Sequence, residues 1–171
     1  LSNFNMYHNI SCKDYLGHGW KINAGASYST NRDKINMELQ DADNRKQEIT
    51  NDPVYAFKNF NLVNKGQYVN SKLVFEKRLN GLSAIRLGSE YNYSDEKSTY
   101  RQENGTPYPD QVTEHILAGF GEADLYVSNN LAARLGSRVE HSALLGKWNI
   151  APRVSLAYKF PDKSQVSVAY G

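Results

Sequence analysis

From residue 131 onward the chain alternates apolar and polar side chains so regularly that only strands with two unlike faces satisfy it. Leu131, Ala133, Leu135, Ser137, Val139 and His141 fall on one side, and Ala132, Arg134, Gly136, Arg138 and Glu140 on the other. After a break at 144–149 the pattern resumes. Ile150, Pro152, Val154, Leu156, Tyr158 and Phe160 oppose Ala151, Arg153, Ser155, Ala157 and Lys159. A polar turn, Pro161-Asp162-Lys163, leads to a third run, with Val166, Val168 and Tyr170 against Gln165, Ser167 and Ala169. Period 2 over about ten residues is the signature of a strand with one apolar and one polar face. In a soluble sandwich such an apolar face meets a second sheet. In an outer-membrane barrel it meets lipid, while the polar face lines a wet lumen. Both architectures produce this alternation.

The remaining chain extends the same reading. Phe4, Met6, His8, Ile10 and Cys12 alternate with polar residues as far as about Tyr15, and a turn follows at 16–19. Trp20, Ile22, Ala24, Ala26 and Tyr28 form a second apolar row, with aromatic residues near both ends as two membrane interfaces require. Residues 31–66 lose the alternation and read as a long polar loop, with a short helix expected over 36–47 where good helix formers collect. Strands over 68–79 and 83–93 flank Asn80-Gly81, a strong hairpin dipeptide. A second long polar connection, 95–111, contains Asn104-Gly105 and Pro107, and a strand over 114–127 completes the set. The fold class expected is all-β: an antiparallel up-and-down meander of about eight strands. Its connections alternate short and long, the asymmetry of a transmembrane barrel with tight inner turns and long outer loops. With four short turns and three longer loops, both termini fall on the long-loop side. A complete eight-stranded barrel has the opposite count, so a segment of a larger barrel is expected.

Composition excludes several classes. A mean hydropathy of -0.65 and the lack of any run approaching about 18 apolar residues leave no room for a membrane helix, though a transmembrane strand needs only about 9–11 residues, half of them apolar. The net charge of +2 gives no reason to expect nucleic acid as a partner. Cys12 is the sole cysteine, so neither a disulfide framework nor a thiolate metal site is expected. Asp41 and Asp43 lack the glycine and terminal glutamate of a calcium loop. The four histidines are isolated from any zinc spacing, and no nucleophile elbow or phosphate-cradling glycine loop occurs. Glu140 and His141 point to opposite faces of their strand. No catalytic residues, cofactor or metal are therefore expected.

Residues 134–171, RLGSRVEHSALLGKWNIAPRVSLAYKFPDKSQVSVAYG, resemble the barrel portion of TonB-dependent outer-membrane receptors, most closely the type found in Bacteroidetes-like bacteria. The likeness lies in Gly136-x-Arg138-x-Glu140, in Ala151-Pro152-Arg153 and in Ala169-Tyr170-Gly171, with SAIRLGSEYNYS at 83–94 similar to an earlier strand. The resemblance implies a partial barrel domain over residues 1–171, truncated at both ends and without plug domain or signal peptide. It implies a bacterial outer-membrane location, with lipid, a plug domain and TonB as partners. Function would be import of a scarce bulky nutrient, such as an iron chelate, cobalamin or a glycan, through a plugged barrel of about 22 strands. The ionic face would then line the lumen, with Arg86, Glu90, Glu122, Asp124, Arg134, Arg138, Glu140, Arg153 and Lys159 as candidates. Opposite charges paired across a ladder would also place these residues there for structural reasons alone. The alternatives are a soluble β-barrel or sandwich acting in binding or adhesion, and a pore or assembly barrel of another family.

Overall fold

The computed structural model describes residues 1–47, 52, 55, 58–79, 81–102 and 105–171. Eight strands follow in order: β1 (Ser2–Gly17), β2 (Trp20–Met37), β3 (Phe60–Arg78), β4 (Ala84–Gln102), β5 (Tyr108–Tyr126), β6 (Leu131–Ser142), β7 (Lys147–Lys159) and β8 (Gln165–Tyr170). Each strand pairs with its neighbours in sequence, so one sheet runs from β1 at one edge to β8 at the other. This is the all-β meander that the alternation calls for.

Register carries the two-faced pattern from strand to strand. Ala123, Leu135, Val154 and Tyr170 lie opposite one another across β5, β6, β7 and β8, as do Leu125, Ala133, Leu156 and Val168. The intervening residues form polar rows, such as Asp124, Arg134 and Ser155, the last of which meets Ala169 on β8. A slip of one residue would exchange the faces, so the side-chain pattern itself holds the register.

By contacts, the residues divide into two compact units: Leu1–His8, Tyr28–Tyr68 and Tyr93–Thr113 in the first, and Asn9–Ser27, Val69–Asn92 and Glu114–Gly171 in the second. In the second unit the apolar rows are open. Trp148 and Ile150 are 69% and 66% exposed, and Leu117, Leu135, Val154, Leu156 and Val168 are exposed as well. Among the described residues the buried apolar positions are Ala84 and Ala118, and no large side chain is fully buried. A sheet that leaves this much contiguous apolar surface open needs a non-aqueous neighbour.

The first unit corrects the expected loops. β2 continues to Met37 and β3 starts at Phe60, so the connection is 38–59 rather than 31–66. Likewise β4 reaches Gln102 and β5 starts at Tyr108, leaving 103–107 in place of 95–111. These added strand residues lack apolar alternation because polar side chains tie the strands together. Thr30 Oγ1 donates to the Gly66 carbonyl at 3.0 Å, Ser98 Oγ to Asn64 Oδ1 at 2.8 Å and Tyr68 OH to Glu96 Oε1 at 3.1 Å. Gln111 Nε2 and Thr113 Oγ1 both donate to Asp95 Oδ1, at 2.6 and 2.9 Å. The connection after β6 also differs from the break expected over 144–149, being a turn over 143–146.

No helix forms over 36–47. β2 occupies 36 and 37, and beyond it Gln40 and Lys46 form a β-bridge. Asp41 explains the difference: its Oδ1 accepts the Asp43 and Arg45 amides at 2.9 and 2.8 Å, closing a turn in which Asn44 takes φ 61°. Aspartate and asparagine compete in this way with helical hydrogen bonding. Asn59, one of the buried polar residues, fastens the hairpin by accepting from Leu39 N at 2.6 Å and donating to the Gln47 carbonyl at 2.8 Å. At the expected hairpin dipeptide Gly81 has φ 66°, as a tight turn demands, while Asn80 lies outside the described residues, as does Asn104.

The Arg45 amide, followed by the Gln47 side chain and the Asp43 amide, holds the Asp41 carboxyl below the usual aspartate range. A lowered folded-state value means the interaction is present above the unfolded value and is lost as pH falls through the folded one. Hydrogen-exchange protection of the Arg45 amide, corrected for intrinsic rates, should therefore persist through mildly acidic pH. It should fall only below the ordinary aspartate range, and Asp41→Asn should weaken it at every pH.

Candidate functional site

The polar face of the second unit is a ladder of charges spread over five strands. Arg86 on β4 is central to one cluster. Its Nε lies 3.0 Å from Glu76 Oε2 on β3, and its Nη1 lies 2.6 Å from Asp124 Oδ2 and 3.5 Å from Glu122 Oε1 on β5. Arg134 on β6 closes the far side, with Nε 2.5 Å from Asp124 Oδ1 and 3.0 Å from Glu122 Oε1. Lys21 on β2 reaches Glu76 at 3.8 Å. Three cations thus face three carboxylates.

A second cluster joins Glu90 to Lys72, at 2.6 Å, and to Arg138, whose Nε also holds Glu140 Oε2 at 3.0 Å. Asn149 Nδ2 donates to the other Glu140 oxygen at 3.3 Å. Here two cations meet two carboxylates. The enclosure of this face reverses that of a soluble sheet: the Glu76 and Asp124 side chains are only 14% and 15% exposed, far less than the leucines and valines opposite them. Carboxylates so enclosed need partners, and the ladder supplies them on adjacent strands.

Strand periodicity explains the convergence. Asp124 is directly opposite Arg134, and Phe120 is opposite Arg138, so β5 and β6 present their charges in one row. Seven of the nine residues singled out from the sequence, Arg86, Glu90, Glu122, Asp124, Arg134, Arg138 and Glu140, meet in these two clusters. Arg153, opposite Gly136, and Lys159, opposite Gln165, lie in the same polar rows without joining an ion pair among the described residues. Arg153 instead borders a cavity of about 340 Å³ whose other walls include Lys72, Glu90, Phe120, Glu122, Arg134 and Arg138.

Lys21, Lys72, Glu76 and Phe120 belong to this face although the sequence reading did not select them. Lys21 and Glu76 were recoverable from strand parity. Phe120 was harder to see, being an aromatic side chain in a polar row. Its ring lies over Gly88, where an added Cβ would collide with it, and Lys72 Nζ sits 5.2 Å from the ring centroid. The pairing covers glycine backbone with an aromatic ring and gives the lysine a cation–π partner. Among the described residues no group of three His, Cys, Asp or Glu side chains is placed to hold a metal ion. The Asp41 carboxylate is engaged by its own hairpin.

The model of the TonB-dependent receptor-like β-barrel family matches residues 3–171. The chain belongs to that family. No curated protein and no solved structure matches it. TonB-dependent receptor barrels are outer-membrane transport barrels of bacteria, not typically enzymatic, and their family works generally with a plug domain and TonB.

Within this receptor barrel, Arg86→Met removes the guanidinium shared by Glu76 and Asp124. Denaturant unfolding of the full-length receptor should show a loss of about 1.5–3 kcal/mol, the range for hydrogen bonds to charged groups. Adding Glu76→Gln should recover part of it, visible as coupling in a double-mutant cycle. Gly88→Ala brings a methyl group against the Phe120 ring and within 2.8 Å of the Leu73 carbonyl. It should destabilise by about 1–3 kcal/mol, as overpacking does, and Phe120→Ala should relieve only the ring's share.

Proposed function

We propose that the chain is a segment of the barrel domain of an outer-membrane TonB-dependent active transporter, with its apolar rows in lipid and its charge ladder lining the lumen. The observation that carries this reading is the open apolar face set against an enclosed ionic one. Its dimensions agree. On β7, Trp148 and Tyr158 bracket the apolar row. Ten residues of strand rise about 33 Å, which at a barrel tilt of about 40° projects to about 25 Å, the height of the apolar band of such barrels. Aromatic side chains stand at both limits. Trp148 packs on His141 with centroids 4.8 Å apart, and Tyr158 packs edge-on to Phe160 at 5.0 Å.

On this reading the nine charged residues face the plug, and Arg153 offers a guanidinium to an acidic group of the plug or cargo. The cargo is a scarce bulky nutrient, an iron chelate, cobalamin or a glycan. A soluble binding module would require a second layer over rows that among the described residues have none.

The test is fractionation of the full-length protein expressed with its own leader, followed by protease treatment of intact cells. Recovery in the outer-membrane fraction, with cleavage confined to 38–59 and 103–107, is expected. Recovery as freely soluble protein would overturn the transporter reading. Growth of a deletion strain on each nutrient class as sole source then identifies the cargo.

A further inference from the structure

Residues 143–146, Ala-Leu-Leu-Gly, are the one connection in the sheet without a polar side chain, although turns ordinarily favour polar residues. Leu144 and Leu145 are 56% and 67% exposed. They are held out by a built turn. Glu114 accepts the Ser142 hydroxyl at 3.1 Å and the Leu144 amide at 3.2 Å. Ser142 Oγ in turn accepts the Leu145 amide at 3.1 Å, and Ala143 N donates to the His115 carbonyl at 2.9 Å. Gly146 takes φ 61° and closes the loop onto Lys147. Two leucines fixed in this way cannot fold back to hide themselves.

Position identifies what covers them. The turn follows directly on the His141–Trp148 aromatic pair at one limit of the apolar band, and its apex is two to three residues further along the chain. That distance is about 7–10 Å of strand, or about 5–8 Å of height at barrel tilt. A headgroup layer occupies about 5–7 Å on each side of the hydrocarbon. Trp148 and Ile150, which follow the leucines in sequence at the start of β7, are exposed as well.

We propose that the 143–146 turn is a lipid-interface anchor, seating Leu144 and Leu145 in the headgroup layer of the outer leaflet and fixing the height of the β6–β7 hairpin in the bilayer. The proposal rests on the transmembrane reading above. The bilayer surface, rather than a protein partner, is the occupant because the turn stands just beyond the aromatic limit of the apolar band, at the height where the headgroup layer follows.

The test uses the full-length receptor, with its cysteines including Cys12 replaced by serine, reconstituted in phosphatidylcholine vesicles. A nitroxide is attached at Leu145→Cys, with Ile150→Cys in the apolar band and Ala42→Cys in the polar hairpin as references. Collision with oxygen should exceed collision with a water-soluble nickel chelate at Leu145, as at Ile150 and in contrast to Ala42. A label at Leu145 as open to nickel as that at Ala42, with Ile150 still protected, would overturn the anchor and leave the barrel standing. Nickel access at both Leu145 and Ile150 would overturn the barrel reading itself. A Leu145 label shielded from both reagents would also overturn the anchor, since protein and not lipid would then cover the turn. If the labelled variant does not fold, Leu144→Trp in brominated phosphatidylcholine reads the same depth. Bromine near the headgroup should quench it about twofold more than bromine near the chain ends, as an interfacial depth requires. Equal or deeper quenching would contradict the proposal.

Discussion

A strand of strict period 2 must satisfy two environments at once, and the arrangement of the sheet's second unit follows from that requirement. Water on both sides would leave Trp148, Ile150, Leu156 and Val168 unburied. Hydrocarbon on both sides would strand Glu76, Arg86, Asp124 and Arg134. The structure resolves the conflict by keeping the two sets on opposite faces and carrying each across neighbouring strands in register. The meander topology serves the same end, because sequential antiparallel pairing preserves face identity without crossovers.

The charged face is stable for a reason distinct from simple ion pairing. Exposed pairs contribute little, but here four of the five acidic groups are shared between two cations, Glu140 being the exception. Asp124 bridges Arg86 and Arg134, and Glu90 bridges Lys72 and Arg138. Sharing means that fixing one side chain already fixes part of the next, so each further pair costs less rotamer entropy than an isolated one. The ladder therefore acts as a cross-strand brace spanning β2 to β6.

Much of this was legible in the sequence. The three runs after residue 131 predicted their faces, because the large apolar side chains and the charged ones keep strictly to opposite parity there, with Ser137 and the alanines as small interruptions. Seven of the selected charges converge for the same reason, parity alone sufficing to place them on one face. Legibility ended where both faces of a strand are polar. The residues of β2 beyond 30 and of β4 beyond 94 carry no apolar row, so hydropathy registers a loop where hydrogen-bonded strand exists. The helix expected over 36–47 failed on a related point: residue propensity favoured it, but Asp41 and Asn59 bind backbone groups that a helix would need. Phe120 was missed because its role is defined by Gly88 on another strand, a pairing that periodicity within β5 does not express.

The extended strands also change how much of the first unit is left outside the sheet. A loop of 36 or 17 residues, as hydropathy alone suggests for 31–66 and 95–111, would cost about 1–2 kcal/mol per residue to fix in one conformation. Strand pairing meets most of that cost during folding. Side-chain bonds such as Ser98 to Asn64, and Gln111 and Thr113 to Asp95, tie the pairing together where no apolar row exists to do so. What remains outside the strands is the 38–59 connection, part of which the Asp41–Asn59 hairpin organises, and the five residues 103–107. The polar residues that look like solvated loop in the sequence are thus the ones that hold these strand ends together.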